Sequence, residues 1–102
     1  LTTLEKSAFM PNRFHKASVI EDVFAITGRG CIVAGEFALG LEVRRGVTLE
    51  LRRAGVVVFS SVVSGVDIAP RPTRALSLLV RGLDKATVQI GDEIWLEVNA
   101  QP

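Results

Sequence analysis

The chain has 102 residues, long enough to close one hydrophobic core and too short for two. A hydrophobic fraction of 48% excludes disorder as a description of the whole chain. Lys and Arg number 12 against 11 Asp and Glu, a net charge of +1, so any contact with nucleic acid has to come from a local patch and not from bulk charge.

Mean hydropathy is positive, yet the longest uninterrupted nonpolar run, Ala54 to Phe59, ends at Ser60, far short of the roughly 20 residues of a spanning helix. Glu5 and Lys6 would interrupt the apolar region of a signal sequence. Cys31 is the only cysteine, so no intramolecular disulfide is available and no oxidising compartment is required. The expectation is a soluble, cytoplasmic protein without a membrane partner.

In chain order, residues 1–16 read as an N-terminal extension. Leu1–Met10 forms a short helix there, opened by a Thr2 to Glu5 capping box and stopped by Pro11, or else a frayed terminus. From 17 to 102 β-branched residues dominate and apolar positions recur every second residue, the period of strands. Candidate strands run over Ser18–Thr27 and Cys31–Leu39, joined by Gly28-Arg29-Gly30, whose glycines suit the positive φ of a tight hairpin. Val47, Leu49 and Leu51 alternate with Thr48, Glu50 and Arg52, which buries one face and wets the other.

Beyond the Arg53-Ala54-Gly55 turn, Val56–Ser64 opens with four residues, Val56 to Phe59, that are apolar on both faces and would invite aggregation on an open edge; closure into a barrel would protect them. Ala69-Pro70-Arg71-Pro72-Thr73 is a stiff loop, because its prolines remove donors and restrict the residues before them. Leu76, Leu78 and Val80, and then Ile94, Leu96 and Val98, mark the last two strands. About six strands at short, regular spacing indicate an all-β barrel or sandwich forming one domain over 17–102.

Little in this pattern supports catalysis. His15 is the only histidine, which rules out a multi-histidine metal site and fits a plain surface residue. Cys31 opens an apolar strand, where a small hydrophobe packs well. Glu21 and Asp22 are neighbours on an extended segment, so they point apart and cannot serve as a paired acid and base. Gly28-Arg29-Gly30 lacks the third glycine, the Lys-Ser/Thr ending and the helix of a phosphate loop. No enzyme activity and no cofactor are expected. The candidate binding residues are Arg29, the Arg44-Arg45 pair, Arg71, and Trp95, an aromatic on the polar Glu93 and Glu97 face that needs a loop, a second subunit or a ligand to cover it. Arg44-Arg45 and Arg52-Arg53 flank one strand as two small basic patches, also readable as solvated strand ends.

The stretch Val19-Ile20-Glu21-Asp22-Val23-Phe24-Ala25-Ile26-Thr27-Gly28-Arg29-Gly30-Cys31-Ile32-Val33-Ala34-Gly35 closely resembles the opening hairpin of domain 2 in the elongation factor Tu family of translational GTPases. The resemblance continues through Val43 to Leu51, through Leu78-Leu79-Val80-Arg81-Gly82-Leu83, and through Ile90-Gly91-Asp92-Glu93-Ile94. It implies a closed Greek-key barrel of about six strands and a non-catalytic module that binds RNA, the ribosome or a GTPase domain. Arg71 falls where the family has its loop arginine, and Ala69 where it has an acidic residue. The family's GTP-binding loop has no counterpart in the chain. The alternative expectation is a protein-interaction or self-associating barrel, a homo-oligomer that has lost RNA binding.

Overall fold

Alternation buries only one face of each strand, so the chain must lay sheets together to hide its apolar rows. The computed structural model, which describes residues 12–37, 43–68 and 75–99, does this with two four-stranded antiparallel sheets. The strands are β1 (Asn12–Val19), β2 (Asp22–Ile26), β3 (Gly30–Glu36), β4 (Thr48–Arg53), β5 (Val56–Val62), β6 (Gly65–Ile68), β7 (Ala75–Arg81) and β8 (Glu93–Asn99). The first sheet has the order β1-β8-β4-β5 and the second β2-β3-β7-β6. No helix occurs among the described residues, and none is long and apolar enough there to cross a membrane.

The core lies between the sheets. Leu49, Leu51, Ile94 and Leu96 come from the first, and Cys31, Val33, Leu78 and Val80 from the second. All eight are fully buried, and each Leu, Ile or Val so hidden stabilises the fold by about 1.5–3 kcal/mol before entropy is counted. Ile20, Phe37, Val63, Leu83 and Val88 close the margins.

Eight strands appear where about six were expected, because two of the expected strands bend. Ser18–Thr27 is divided at Ile20–Glu21: the Ile20 amide donates to the Asp92 carbonyl at 2.9 Å, beside the first sheet, and the next amide, Glu21, donates to Ala34 in the second at 2.8 Å. Val56–Ser64 ends in the same device and runs on into β6. The Val63 amide donates to the Val47 carbonyl at 2.9 Å and the Ser64 amide to Leu79 at 2.8 Å. At each bend successive amides serve different sheets.

Residues 12–16, assigned from sequence to an extension, are the first part of β1 and pair with β8 from Asn12↔Asn99 onward. The expected helix over Leu1–Met10 lies outside the described residues. Val56 and Val57, whose protection was expected, remain 61% and 45% exposed, because β5 is the outer strand of its sheet.

Where β1 passes β3 the backbones nearly touch. A Cβ built on Gly35 would overlap the Val19 carbonyl oxygen and stand 2.7 Å from Ser18 Oγ. That buried hydroxyl donates to the Glu36 carbonyl at 2.6 Å, tying the two strands together. The β4–β5 hairpin turns on Ala54 and Gly55, with φ of 53° and 80°. Both positive values belong to a type I′ turn, in which asparagine is preferred at the first position and alanine is strained. Ala54→Asn is therefore expected to raise stability by about 0.5–1 kcal/mol, read as a higher denaturant midpoint at unchanged slope.

Candidate nucleic-acid interface

A phosphate-binding surface needs cations whose charge is not already spent inside the protein. The arginines divide sharply by this criterion. Arg53, at the end of β4, donates to both oxygens of Asp92, Nε to Oδ1 at 2.7 Å and Nη2 to Oδ2 at 2.8 Å, and also to the Thr87 carbonyl at 2.9 Å. Asp92 is 2% exposed and accepts the Gln89 amide as well. Hydrogen bonds from Arg53 hold its carboxyl below the ordinary aspartate value, against the opposing effect of burial.

Arg52 is spent on the opposite face of β4. Its Nε and Nη2 donate to Glu50 Oε1 at 3.0 and 2.7 Å, and its guanidinium lies 4.0 Å from the centre of the Trp95 ring and 5.7 Å from that of Phe14. The Trp95 indole N–H donates to Glu93 Oε1 at 3.0 Å, and Lys16 pairs with Glu93 Oε2 at 3.1 Å. The Trp95 and Lys16 bonds together hold the Glu93 carboxyl below its ordinary range. The Arg52-Arg53 pair is thus not the solvated basic patch expected from sequence. Strand alternation sends one arginine to each side of β4, and each meets a carboxylate there. The cover that Trp95 required is Arg52.

Four other arginines form a contrasting set. Arg29, Arg44, Arg45 and Arg81 are exposed, and none has a carboxylate partner among the described residues. Arg29 sits in the β2–β3 turn, where its amide closes onto the Ile26 carbonyl at 2.9 Å and its own carbonyl accepts the Gly82 amide at 3.3 Å. That second bond joins the turn to the end of β7, where Arg81 pairs with Gly30. Arg44 and Arg45 occupy the turn into β4, closed by the Val47 amide on the Arg44 carbonyl at 3.3 Å and by the Gly46 amide on Val63 at 2.8 Å.

These connections converge on the bend between β5 and β6. Arg45 and Arg81 stand on its two sides and, with Gly46, Val62, Val63 and Ser64, line an open groove of about 750 Å³. The structure therefore gathers Arg45 and Arg81 at one groove, sets Arg44 and Arg29 beside them, and separates all of them from Trp95, which lies on the first sheet. Arg71 lies outside the described residues. Arg81 was not among the candidates read from sequence. Its signal was its strand phase: it falls two residues after Leu79, on the face away from Leu78 and Val80.

The other reactive side chains are plainly placed. His15 is exposed on β1, and Cys31 is buried in the core, where burial and then Asp84 push its thiol up, away from a nucleophilic thiolate. Among the described residues no group of His, Cys, Asp and Glu is close enough to hold a metal ion. No family model matches the chain.

Proposed function

We propose that the chain is a non-catalytic binding module that takes the phosphate backbone of RNA, free or ribosomal, in the groove at the β5–β6 bend. The observation carrying this reading is the division of the arginines: Arg52 and Arg53 are neutralised internally, whereas Arg29, Arg44, Arg45 and Arg81 are left exposed, and Arg45 and Arg81 line one groove. A chain of net charge +1 can bind a polyanion only through such a local concentration of cations.

The fold proposed with it is a closed Greek-key barrel like domain 2 of the elongation factor Tu family. Two features support closure. Each bent strand, β1 into β2 and β5 into β6, is hydrogen-bonded to one sheet before its bend and to the other after it. Counting each bent strand once leaves six, in the circular order β1/β2, β8, β4, β5/β6, β7, β3. Within it β8-β4-β5/β6-β7 has the 4-1-2-3 arrangement that defines a Greek key.

The test is RNA binding by fluorescence anisotropy across a salt series. The logarithm of affinity should fall linearly with the logarithm of salt concentration. Arg45→Ala and Arg81→Ala should each flatten that slope by about one unit, while Lys16→Ala, which removes a partner of Glu93 on the other sheet, should leave it unchanged. Wild-type binding without salt dependence, or slopes unmoved by both arginine variants, would remove the assignment.

A further inference from the structure

The outward side of the second sheet carries an apolar row that the proposed RNA groove does not use. Phe24, Ile32 and Leu79 stand in direct cross-strand register on β2, β3 and β7, and the row ends on β6 at Gly65, which has no side chain to extend it. Phe24 is 51% exposed. With Ile26 the row lines an open groove of about 590 Å³. An uncharged row on an outer sheet face, where alternation ordinarily places polar residues, calls for a covering surface.

The charges beside the row indicate what covers it. Two residues along the strands in one direction stands Arg81, and two residues in the other stand Asp22 on β2 and Asp67 on β6, all exposed and none ion-paired among the described residues. The face is positive at one end, apolar in the middle and negative at the other. Such a face complements itself when two copies meet in opposite orientation. We propose that a second copy of this chain docks here, related by a two-fold axis that lies in the interface along the Phe24–Ile32–Leu79 row.

Charge selects that axis. A two-fold running parallel to the strands would set Asp22 over the partner's Asp67, a like-charge contact. A two-fold across the strands places Arg81 over the partner's Ser77, with the partner's Asp67 directly beside it on the next strand, about 4.8 Å away. The same operation stacks Phe24 on the partner's Phe24 near the axis, an aromatic pair with freedom to offset. Four strands about 4.8 Å apart and four residue steps of about 3.3 Å give a backbone footprint of roughly 14 by 13 Å. That is small against the roughly 1,200 Å² of total buried area in stable complexes, so the dimer is weak and concentration-dependent.

Sedimentation equilibrium tests this. The wild-type mass should climb from monomer toward dimer with loading concentration, and Phe24→Ser should abolish the rise. Arg81→Asp and Asp67→Arg should each remain monomeric, because their homodimers would oppose like charges. An equimolar mixture of the two should dimerise, since both cross-pairs become opposite in sign. All three sites are exposed, and an unchanged circular dichroism spectrum confirms that each variant is folded. A wild type that stays monomeric at its highest soluble concentration, single variants that associate like wild type, or a mixture that remains monomeric would each overturn the proposal. RNA binding is read separately, because Arg45→Ala should leave association intact and Phe24→Ser should leave the salt slope intact.

Discussion

Gly35→Ala should lower stability by about 3 kcal/mol or more. The added Cβ has no room, because it would fall on the Val19 carbonyl oxygen, a backbone atom, with Ser18 Oγ 2.7 Å away. A flexible side chain could swing aside, but a backbone carbonyl moves only with its strand. β1 would have to lift from β3, and the Ser18 to Glu36 hydrogen bond at 2.6 Å would stretch with it. Overpacking of a filled site costs about 1–3 kcal/mol when neighbours can adjust, and more when they cannot; loss of a buried hydrogen bond adds about 1 kcal/mol. The chemical denaturation midpoint should fall accordingly, and Ser18→Ala combined with Gly35→Ala should recover only a small part, since the main obstruction is backbone. A Gly35→Ala midpoint within error of wild type would show that β1 and β3 do not approach as described.

Asp92→Asn comes next, with an expected loss of about 2 kcal/mol, the usual range for hydrogen bonds to a charged group. For a domain of this size that corresponds to a drop of roughly 10 °C in Tm. Asp92 is nearly fully buried and answers both Arg53 nitrogens and the Gln89 amide, and a neutral amide cannot accept all three as well as a carboxylate does. The same site gives the fold a pH dependence. The Asp92 carboxyl is held below its unfolded value chiefly by Arg53, so the folded state binds its proton less readily than the unfolded state does. Its contribution is complete above the unfolded aspartate pKa and drains away as pH falls through the lower, folded one. Wild-type Tm should therefore decline on acidification from about pH 5 downward, and the gap between wild type and Asp92→Asn should narrow over the same interval. A gap that stays constant down to pH 2 would assign the loss to packing instead of charge.

The parts of this architecture that were legible in the sequence are those with local causes. Leu49 and Leu51 alternate with Glu50 and Arg52 on a single strand, and their burial follows from the pleat alone. The Gly28-Arg29-Gly30 hairpin was legible because Gly28 takes a φ of 77° that its neighbours would resist. The bends at Ile20–Glu21 and Val63–Ser64 carry neither glycine nor proline. They exist because successive amides find acceptors on different sheets, at positions outside the local sequence of the bend. The fate of Arg53 was hidden for the same reason, since its carboxylate partner is 39 residues on. Arg29, Arg44 and Arg45 could be nominated from sequence, but the meeting of Arg45 with Arg81 at one groove depends on which turn lies beside which bend, and only the assembled sheets decide that.

The position of β8 has a consequence for how the chain reaches its folded state. The last described strand in the sequence is an inner strand of its sheet, inserted between β1 and β4. Until it arrives, β1 has no hydrogen-bonding neighbour there, and the core lacks Ile94 and Leu96. The hairpins β2–β3 and β4–β5 can form early from nearby residues, whereas Asn12 must wait for Asn99. Folding is thus governed by a late, long-range closure and belongs to the slow, high-contact-order class, with relaxation in milliseconds to seconds. During synthesis β1 has to wait for its partner until Asn99 has left the ribosomal tunnel, which makes that interval, and not the finished fold, the time when the valine-rich segments are most exposed to wrong pairing.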